Sequence, residues 1–256
     1  MLPKNIRLHL FIWFWVILSF IFIASFLVLT ASGYTVNFKA KTIQKTSMLI
    51  ITSDPRGAKV FLNNSLRGTA PLKIIHLRPT LYDIRIEKEG YQKWDVTEKL
   101  EGDKYIREDA VLFLKAPKIS DATQGDINNI LKEQQSNIPN EILVKIPKGA
   151  KNLTLNEAQD ALLYSTDSEI WMYYPNMPEK ESYKIIARFS HDISKVTYYS
   201  DDKHILFVEN GELKIIELRG TNATKLLDIP TSDFGVTNDG AIIYKDGNKT
   251  KKATVR

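Results

Sequence analysis

The hydrophobic pattern changes character twice along the chain. Leu10 to Ala31 (LFIWFWVILSFIFIASFLVLTA) runs 22 residues without a charge. As a helix rising about 1.5 Å per residue it extends about 33 Å, the hydrocarbon thickness of a bilayer. Ser19, Ser25 and Thr30 interrupt the run, but hydroxyls of this kind bond back to their own helix's carbonyls and are tolerated in lipid. From Met48 onward the chain switches to short β-type runs at Met48 to Thr52, Lys59 to Leu62, Leu72 to Ile75, Tyr82 to Ile86 and Ala110 to Leu114. Asp54-Pro55-Arg56-Gly57 and Glu89-Gly90 are turn chemistry between them, and Asn63-Asn64 is a hairpin pair able to take positive φ. Short strands without a helical period predict a small antiparallel β-sandwich over residues 47–116.

Two segments flank this predicted domain. Residues 34–46 are polar and Lys-spaced and are read as a stalk after the 1–33 anchor region. Residues 117–141 are read as a linker, in which Ile127, Ile130 and Leu131 after Asp126 have helical spacing between Pro117 and Pro139.

In residues 142–256 one layout occurs three times, at 153–174, 196–218 and 234–255: a polar Asn/Ser-Asp turn, an apolar strand, a second turn and a second strand. Aligning Leu162, Ile205 and Ile242 gives spacings of 43 and 37, the length of one four-stranded propeller blade. Ile142 to Ile146, Lys184 to Ala187 and Leu226 to Ile229 are predicted to supply further strands. Closed propellers have roughly four to eight blades, so three units predict an open stacked array, closure by oligomerisation, or a degenerate third blade. The fold class expected is all-β with one N-terminal transmembrane helix, a small sandwich and incomplete propeller-like repeats.

Charge sharpens the picture of the N-terminal half. The net charge is +5, and residues 34–117 hold 15 Lys and Arg against 10 Asp and Glu, whereas residues 118–256 hold 18 against 20. The basic excess lies beside the apolar block with no zinc-finger, helix-turn-helix or RNP pattern, so it implies attraction to an anionic surface and not nucleic-acid reading. Cys is absent, which excludes disulfides, thiol nucleophiles and Cys-ligated metals. A cleaved signal peptide has an apolar core of roughly 7 to 15 residues. The core here is longer, so an uncleaved anchor is expected even though Ala31-Ser32-Gly33 offers a small-residue site. Lys4 and Arg7 precede the block and Lys39, Lys41 and Lys45 follow it. The short basic N-terminus, with Trp13 and Trp15 near the start of the block, favours N-terminus inside and the C-terminal domains exported.

The sandwich region resembles the PEGA domain. Ser53, Pro55, Gly57 and Ala58 match its first turn, Gly68, Pro71 and Leu72 its Gly-x-x-Pro-Leu, Leu77 and Pro79 its bend, and Gly90-Tyr91 its closing pair. Arg56 stands where the family usually has Glu, and Thr80 where the bend usually has Gly. Thr disfavours positive φ, which predicts a differently shaped turn there. The resemblance implies an extracytoplasmic β-sandwich found beside envelope-anchoring and binding modules, without catalytic residues. The three C-terminal units resemble the TolB or WD40-like propeller repeats, best at Asp239-Gly240 and Ile170-Trp171, while Gln159-Asp160 and Asp201-Asp202 lack the turn Gly.

Catalytic constellations are sparse. The histidines are His9, His76, His191 and His204, without metal-ligand spacing, and no nucleophile elbow, phosphate loop or dinucleotide fingerprint is present. Carboxylates at Asp201, Asp202, Glu179, Glu181 and Asp239 lie in turns, where solvated loop charge is the ordinary role. Asn238-Asp239-Gly240 and Asp246-Gly247-Asn248 likewise read as turn chemistry before calcium loops. Among the strand aromatics Trp171, Tyr173, Tyr174, Tyr198 and Tyr199, about half must face the core. Trp171, Tyr173 and Tyr199 are the candidate ligand-binding residues, stacking on sugars or partner side chains.

The function expected is therefore a non-enzymatic, membrane-anchored binding or scaffold protein of the cell envelope. It holds lipid through residues 10–31 and contacts cell-wall glycan or an envelope protein, with no cofactor. The alternatives are a carboxylate-dependent envelope hydrolase using Asp201, Asp202 and Asp239, and an inward-facing membrane-tethered scaffold.

Overall fold

The apolar run folds as one helix, α1 (Lys4–Ala31), in a computed structural model that describes residues 4–37, 42–128, 130 and 138–256. Its segment Phe11–Ala31 has a mean hydropathy of 2.6 and none of it is buried. Ser19 donates to the Val16 carbonyl at 2.8 Å and Thr30 to that of Leu27 at 2.9 Å, so both hydroxyls are satisfied within the helix. Gly33, at φ 78°, ends it, donating to the Thr30 carbonyl. The residues read as a stalk form a hairpin instead, β1 (Tyr34–Asn37) against β2 (Thr42–Lys45), because Thr35, Thr42 and Ile43 supply β-branched positions. Lys39 and Lys41 lie outside the described residues.

The chain divides into two units, Met1–Ile84 with Thr97–Ala110, and Arg85–Val96 with Val111–Arg256. The sandwich strands are β3 (Ser47–Asp54), β4 (Lys59–Leu62), β5 (Ser65–Thr69), β6 (Leu72–Leu77), β7 (Leu81–Glu87), β8 (Trp94–Lys99) and β9 (Tyr105–Val111). They form two sheets, ordered β6-β3-β9 and β5-β4-β7-β8. Alternation decides what they bury: Leu49 and Ile51 on β3, Val60 and Leu62 on β4 and Ile84 on β7 are at most 1% exposed. Asn63 and Asn64 take φ of 49° and 63° in the β4–β5 turn, as the sequence requires. Thr80, in the β6–β7 turn, does not take positive φ, and His76 inside β6 takes φ 58° where the β3–β6 register shifts.

The second unit holds β10 (Lys118–Asp121), α2 (Gln124–Asn128) and α3 (Asn140–Leu143), followed by a series of strands. These are β11 (Lys151–Leu155), β12 (Leu162–Ser165), β13 (Glu169–Tyr173), β14 (Tyr183–Arg188), β15 (Ile193–Tyr198) and β16 (His204–Glu209). The last five are β17 (Glu212–Glu217), β18 (Thr224–Asp228), β19 (Phe234–Val236), β20 (Ile242–Asp246) and β21 (Lys249–Thr254). They form three four-stranded antiparallel sheets, β11-β12-β13-β14, β15-β16-β17-β18 and β10-β21-β20-β19. None closes into a barrel. Leu162 and Ile242 open the second-placed strands β12 and β20 of their repeats, and Ile205 lies one residue into β16. The spacing read from the sequence therefore marks equivalent positions.

Two expectations need correction here. Lys118–Asp121, placed in the linker, is a strand paired along its whole length with β21. Ile142 to Ile146, expected as a strand, lies in α3 and the turn after it. Pro139 precedes that helix, and Ile142 packs down on the first sheet among Leu155, Leu162, Tyr164 and Tyr173. Within the linker, α2 is capped reciprocally, Thr123 Oγ1 accepting from the Asp126 amide and the Asp126 carboxylate from the Thr123 amide. Leu131 lies outside the described residues.

The three sheets stack in sequence. Leu163, Ile170, Met172 and Ile186 of the first share a core with Val196, Ile205 and Phe207 of the second. Leu206, Leu213 and Ile215 on its other face share one with Phe234, Ile242 and Tyr244 of the third. Consecutive tyrosines at the end of β15 lock this order, because side chains of adjacent residues leave opposite faces. Tyr198 donates to the Ala161 carbonyl at 3.2 Å, in the turn after β11, and Tyr199 to the Gly240 carbonyl at 2.8 Å, in the turn after β19.

Candidate functional site

The predicted aromatics fall on two different sheets. Trp171 and Tyr173 lie on the first sheet, on the face away from the second, with Tyr164 opposite Trp171 across β12–β13 and Ile185 opposite it across β13–β14. Trp171 is half-buried. The rings of Trp171 and Tyr164 are nearly parallel, at 8° and 6.5 Å. The Trp171 indole donates to Glu169 Oε2 at 2.8 Å, and Glu169 Oε1 accepts from Arg188 Nε at 2.5 Å. Those two donors hold the Glu169 carboxyl below the usual range, the Trp171 bond first. Arg188 is 70% exposed at its side chain. A partly open indole flanked by a carboxylate and an exposed guanidinium offers the stacking surface and the hydrogen-bonding groups that a sugar ring or a polar partner side chain uses.

Tyr173 and Tyr199 do not join Trp171 in an open surface. Tyr173 is 7% exposed, its ring 4.9 Å from that of Tyr183, whose hydroxyl donates to the Lys145 carbonyl at 2.6 Å and fixes the segment after α3 over it. Tyr199 is 1% exposed, packed edge-on against Phe113 and His204, with its hydroxyl engaged by Gly240. Burial pushes that hydroxyl up to about 12. In this conformation Tyr199 is a packing residue, because the face of β15 that carries it is covered by the third sheet.

The carboxylates of the hydrolase alternative are engaged in turns. Asp201 accepts from the Lys203 and His204 amides at 2.9 and 3.1 Å and from His204 Nδ1 at 2.8 Å. Asp239 accepts from the Thr237 hydroxyl. Among the described residues no cluster of three His, Cys, Asp or Glu could hold a metal ion.

Two features have no signal in the sequence. A groove of about 530 Å³ opens beside the edge strand β19, lined by Lys195, Asp233, Phe234 and Lys245 among others. Lys195 donates to the Phe234 carbonyl at 2.7 Å and lies 4.7 Å from the centre of its ring, while Asp233 pairs with Lys245 at 2.9 Å. The second is a buried network around Glu217, which accepts from the Trp94 indole, from Arg219 Nε and Thr221 Oγ1 at 2.8 Å, and from Asn222 Nδ2 at 3.2 Å.

Burial works to raise both Glu217 and Asp201, and their hydrogen bonds outweigh it, so each carboxyl lies below its ordinary value. A folded-state pKa below the unfolded one contributes stability above the unfolded pKa and loses it as pH falls through the folded one. The urea midpoint is therefore expected to drop below about pH 4, with Glu217→Gln flattening the drop. An acid limb unchanged by Glu217→Gln would remove this account.

The first unit's turns are closed by hydrogen bonds. Ser53 donates to the Pro55 carbonyl at 2.9 Å, and Gly57 and Ala58 exchange backbone bonds with Ala70. Residues 46–113 match the PEGA domain. The matched stretch holds β3 to β9 and does not coincide with a compact unit, since Arg85–Val96 and the residues from Val111 belong to the second. Among solved structures the chain is similar to an auxiliary nutrient binding protein from Bacteroides thetaiotaomicron VPI-5482, at 11% identity and a TM-score of 0.29, over 78% of this chain and 51% of that one. No curated protein matches the chain.

Proposed function

We propose that the chain is a non-enzymatic, single-span membrane protein whose β units lie on the extracytoplasmic side and bind cell-wall glycan or an envelope protein. The observation that carries this is the unburied apolar helix Phe11–Ala31 followed, after one hairpin, by the PEGA segment. The basic residues Lys4 and Arg7 ahead of the apolar run are what favours an inside N-terminus on this reading. On this reading the three stacked sheets are propeller-type blades in an open array, its first sheet capped by α3 and not by the third sheet. The surface offered to the ligand is Trp171 with Glu169 and Arg188.

Protease protection of the full chain in sealed membrane vesicles, read at residue 150, tests the compartment; cleavage only from the cytoplasmic face would refute export. For the ligand, the full chain in detergent is mixed with insoluble peptidoglycan. Trp171→Ala is expected to weaken sedimentation at least about tenfold, the size of one lost aromatic anchor. Equal binding by the variant would move the site elsewhere.

A further inference from the structure

On the sandwich strands β3 to β9 of the first unit, the large apolar side chains left exposed are gathered at one end. Successive strands alternate direction, so the end where β3 begins is where β4 finishes, β5 begins, β6 finishes, β7 begins and β9 begins. Leu66, Leu81 and Tyr105 occupy the first or second position of β5, β7 and β9, and Ile75 lies in the later half of β6; they are 58%, 61%, 65% and 54% exposed. At the opposite end, around Asp54-Pro55-Arg56-Gly57 and Ala70-Pro71, no large apolar side chain of the described residues is exposed. Single exposed apolar residues are ordinary; a set confined to one end of a sandwich is a surface with a role.

The helix arrives at that same end. Thr46, immediately before β3, donates from its amide and its hydroxyl to the Gly33 carbonyl at 2.7 and 2.8 Å. Gly33 lies two residues beyond the apolar span. Asp103 donates from its amide to the Thr46 carbonyl, and its carboxylate pairs with Lys45 at 2.5 Å. The β1–β2 hairpin loops out and returns without adding reach, so the connection between helix and sandwich has little slack. The acidic groups nearby are engaged, Asp103 by Lys45, Glu101 by Lys104 and Asp83 by Thr97. Arg67, Arg78 and Lys99 are exposed at this end.

We propose that this end of the first unit rests in the lipid interface of the leaflet from which α1 emerges. Leu66, Leu81 and Tyr105 lie at the boundary of headgroups and acyl chains, and Arg67, Arg78 and Lys99 lie among lipid phosphates. Tyr favours that depth because its ring is apolar and its hydroxyl wet, and basic side chains gain from an anionic leaflet. The inference rests on the reading of α1 as a membrane span. It adds that the sandwich is held against the bilayer and not suspended on a stalk.

The chain contains no Cys, so single spin labels can be placed without background. The full chain carrying Phe22→Cys, Lys59→Cys, Leu81→Cys or Tyr105→Cys is reconstituted in bilayers containing phosphatidylglycerol, and collisions with oxygen and with a water-soluble nickel chelate are compared. The oxygen-to-nickel ratio at 81 and 105 is expected to exceed that at 59 several-fold and to approach that at 22. Ratios at 81 and 105 equal to that at 59, with 22 still oxygen-rich, would overturn the inference and leave the anchor standing. A nickel-accessible label at 22 would overturn both. Spectral broadening at 105 that grows with protein density would assign this end to a second copy of the chain and overturn the lipid contact.

Discussion

Replacing Trp94 by Ala is expected to lower the unfolding free energy by about 4 kcal/mol, the range of large aromatic truncations in a close-packed interior. Trp94 is 2% exposed and belongs to the Arg85–Val96 segment of the second unit. Its indole donates to Glu217, and the Arg219 guanidinium lies 5.5 Å from its ring. Beside it the Asp95 amide donates to Asn222 Oδ1 at 2.9 Å, so one side chain engages the end of β17 and one main-chain group the connection that follows it. Truncation removes the ring's packing, the stacking partner of Arg219 and one of four donors to a buried carboxylate. Trp94→Phe keeps most of the packing and loses the donor, for which about 1 to 2 kcal/mol is expected. Urea unfolding of the full chain in detergent, followed by far-ultraviolet circular dichroism, measures both. A loss below about 1 kcal/mol for the Ala variant would contradict a closed cavity at this position.

That network also shows where sequence reasoning stops. Trp94 and Glu217 are 123 residues apart, and neither stands in a pattern that periodicity reveals. The same holds for Lys118–Asp121, whose four residues are all exposed and carry no apolar alternation. Its strand character comes from β21, which it meets only in the folded chain. Legible features were those whose cause is local. A run of 22 uncharged, mostly apolar residues makes a helix, Asn63-Asn64 makes a left-handed turn, and spacings of 43 and 37 place the start of equivalent strands. Glu-Ile-Leu-Val-Lys-Ile at 141–146 has strand composition, yet the prolines at 139 and 147 confine it to a single turn of helix and the hydrogen-bonded turn at its end. For the candidate site the residue types were legible and the faces were not. Trp171 lies on the first sheet's outer face, where it stays half-open, and the third sheet decides that Tyr199 is closed.

The sheet-to-sheet contact can be tested at a position the sequence left unremarked. Gly220 lies in the connection from β17 to β18 at φ 85° and donates to the Glu217 carbonyl at 2.8 Å. A Cβ there would overlap the Ile186 main-chain carbonyl oxygen on β14, the edge strand of the first sheet. Lys184 on the same strand reaches back to the Leu218 carbonyl at 3.2 Å. The connection therefore covers an edge that would otherwise be open to pairing with another chain. Gly220→Ala combines left-handed strain with an overlap that only main-chain movement can relieve, and about 3 kcal/mol of destabilisation is expected. Gly149→Ala is the control: φ is 100° and nothing lies within 4 Å of the added atom, so strain alone, about 1 kcal/mol, is expected. Equal losses for the two would mean that the connection does not pack on β14. A larger loss at Gly220 accompanied by concentration-dependent aggregation would identify the uncovered strand as the element that this loop keeps from pairing.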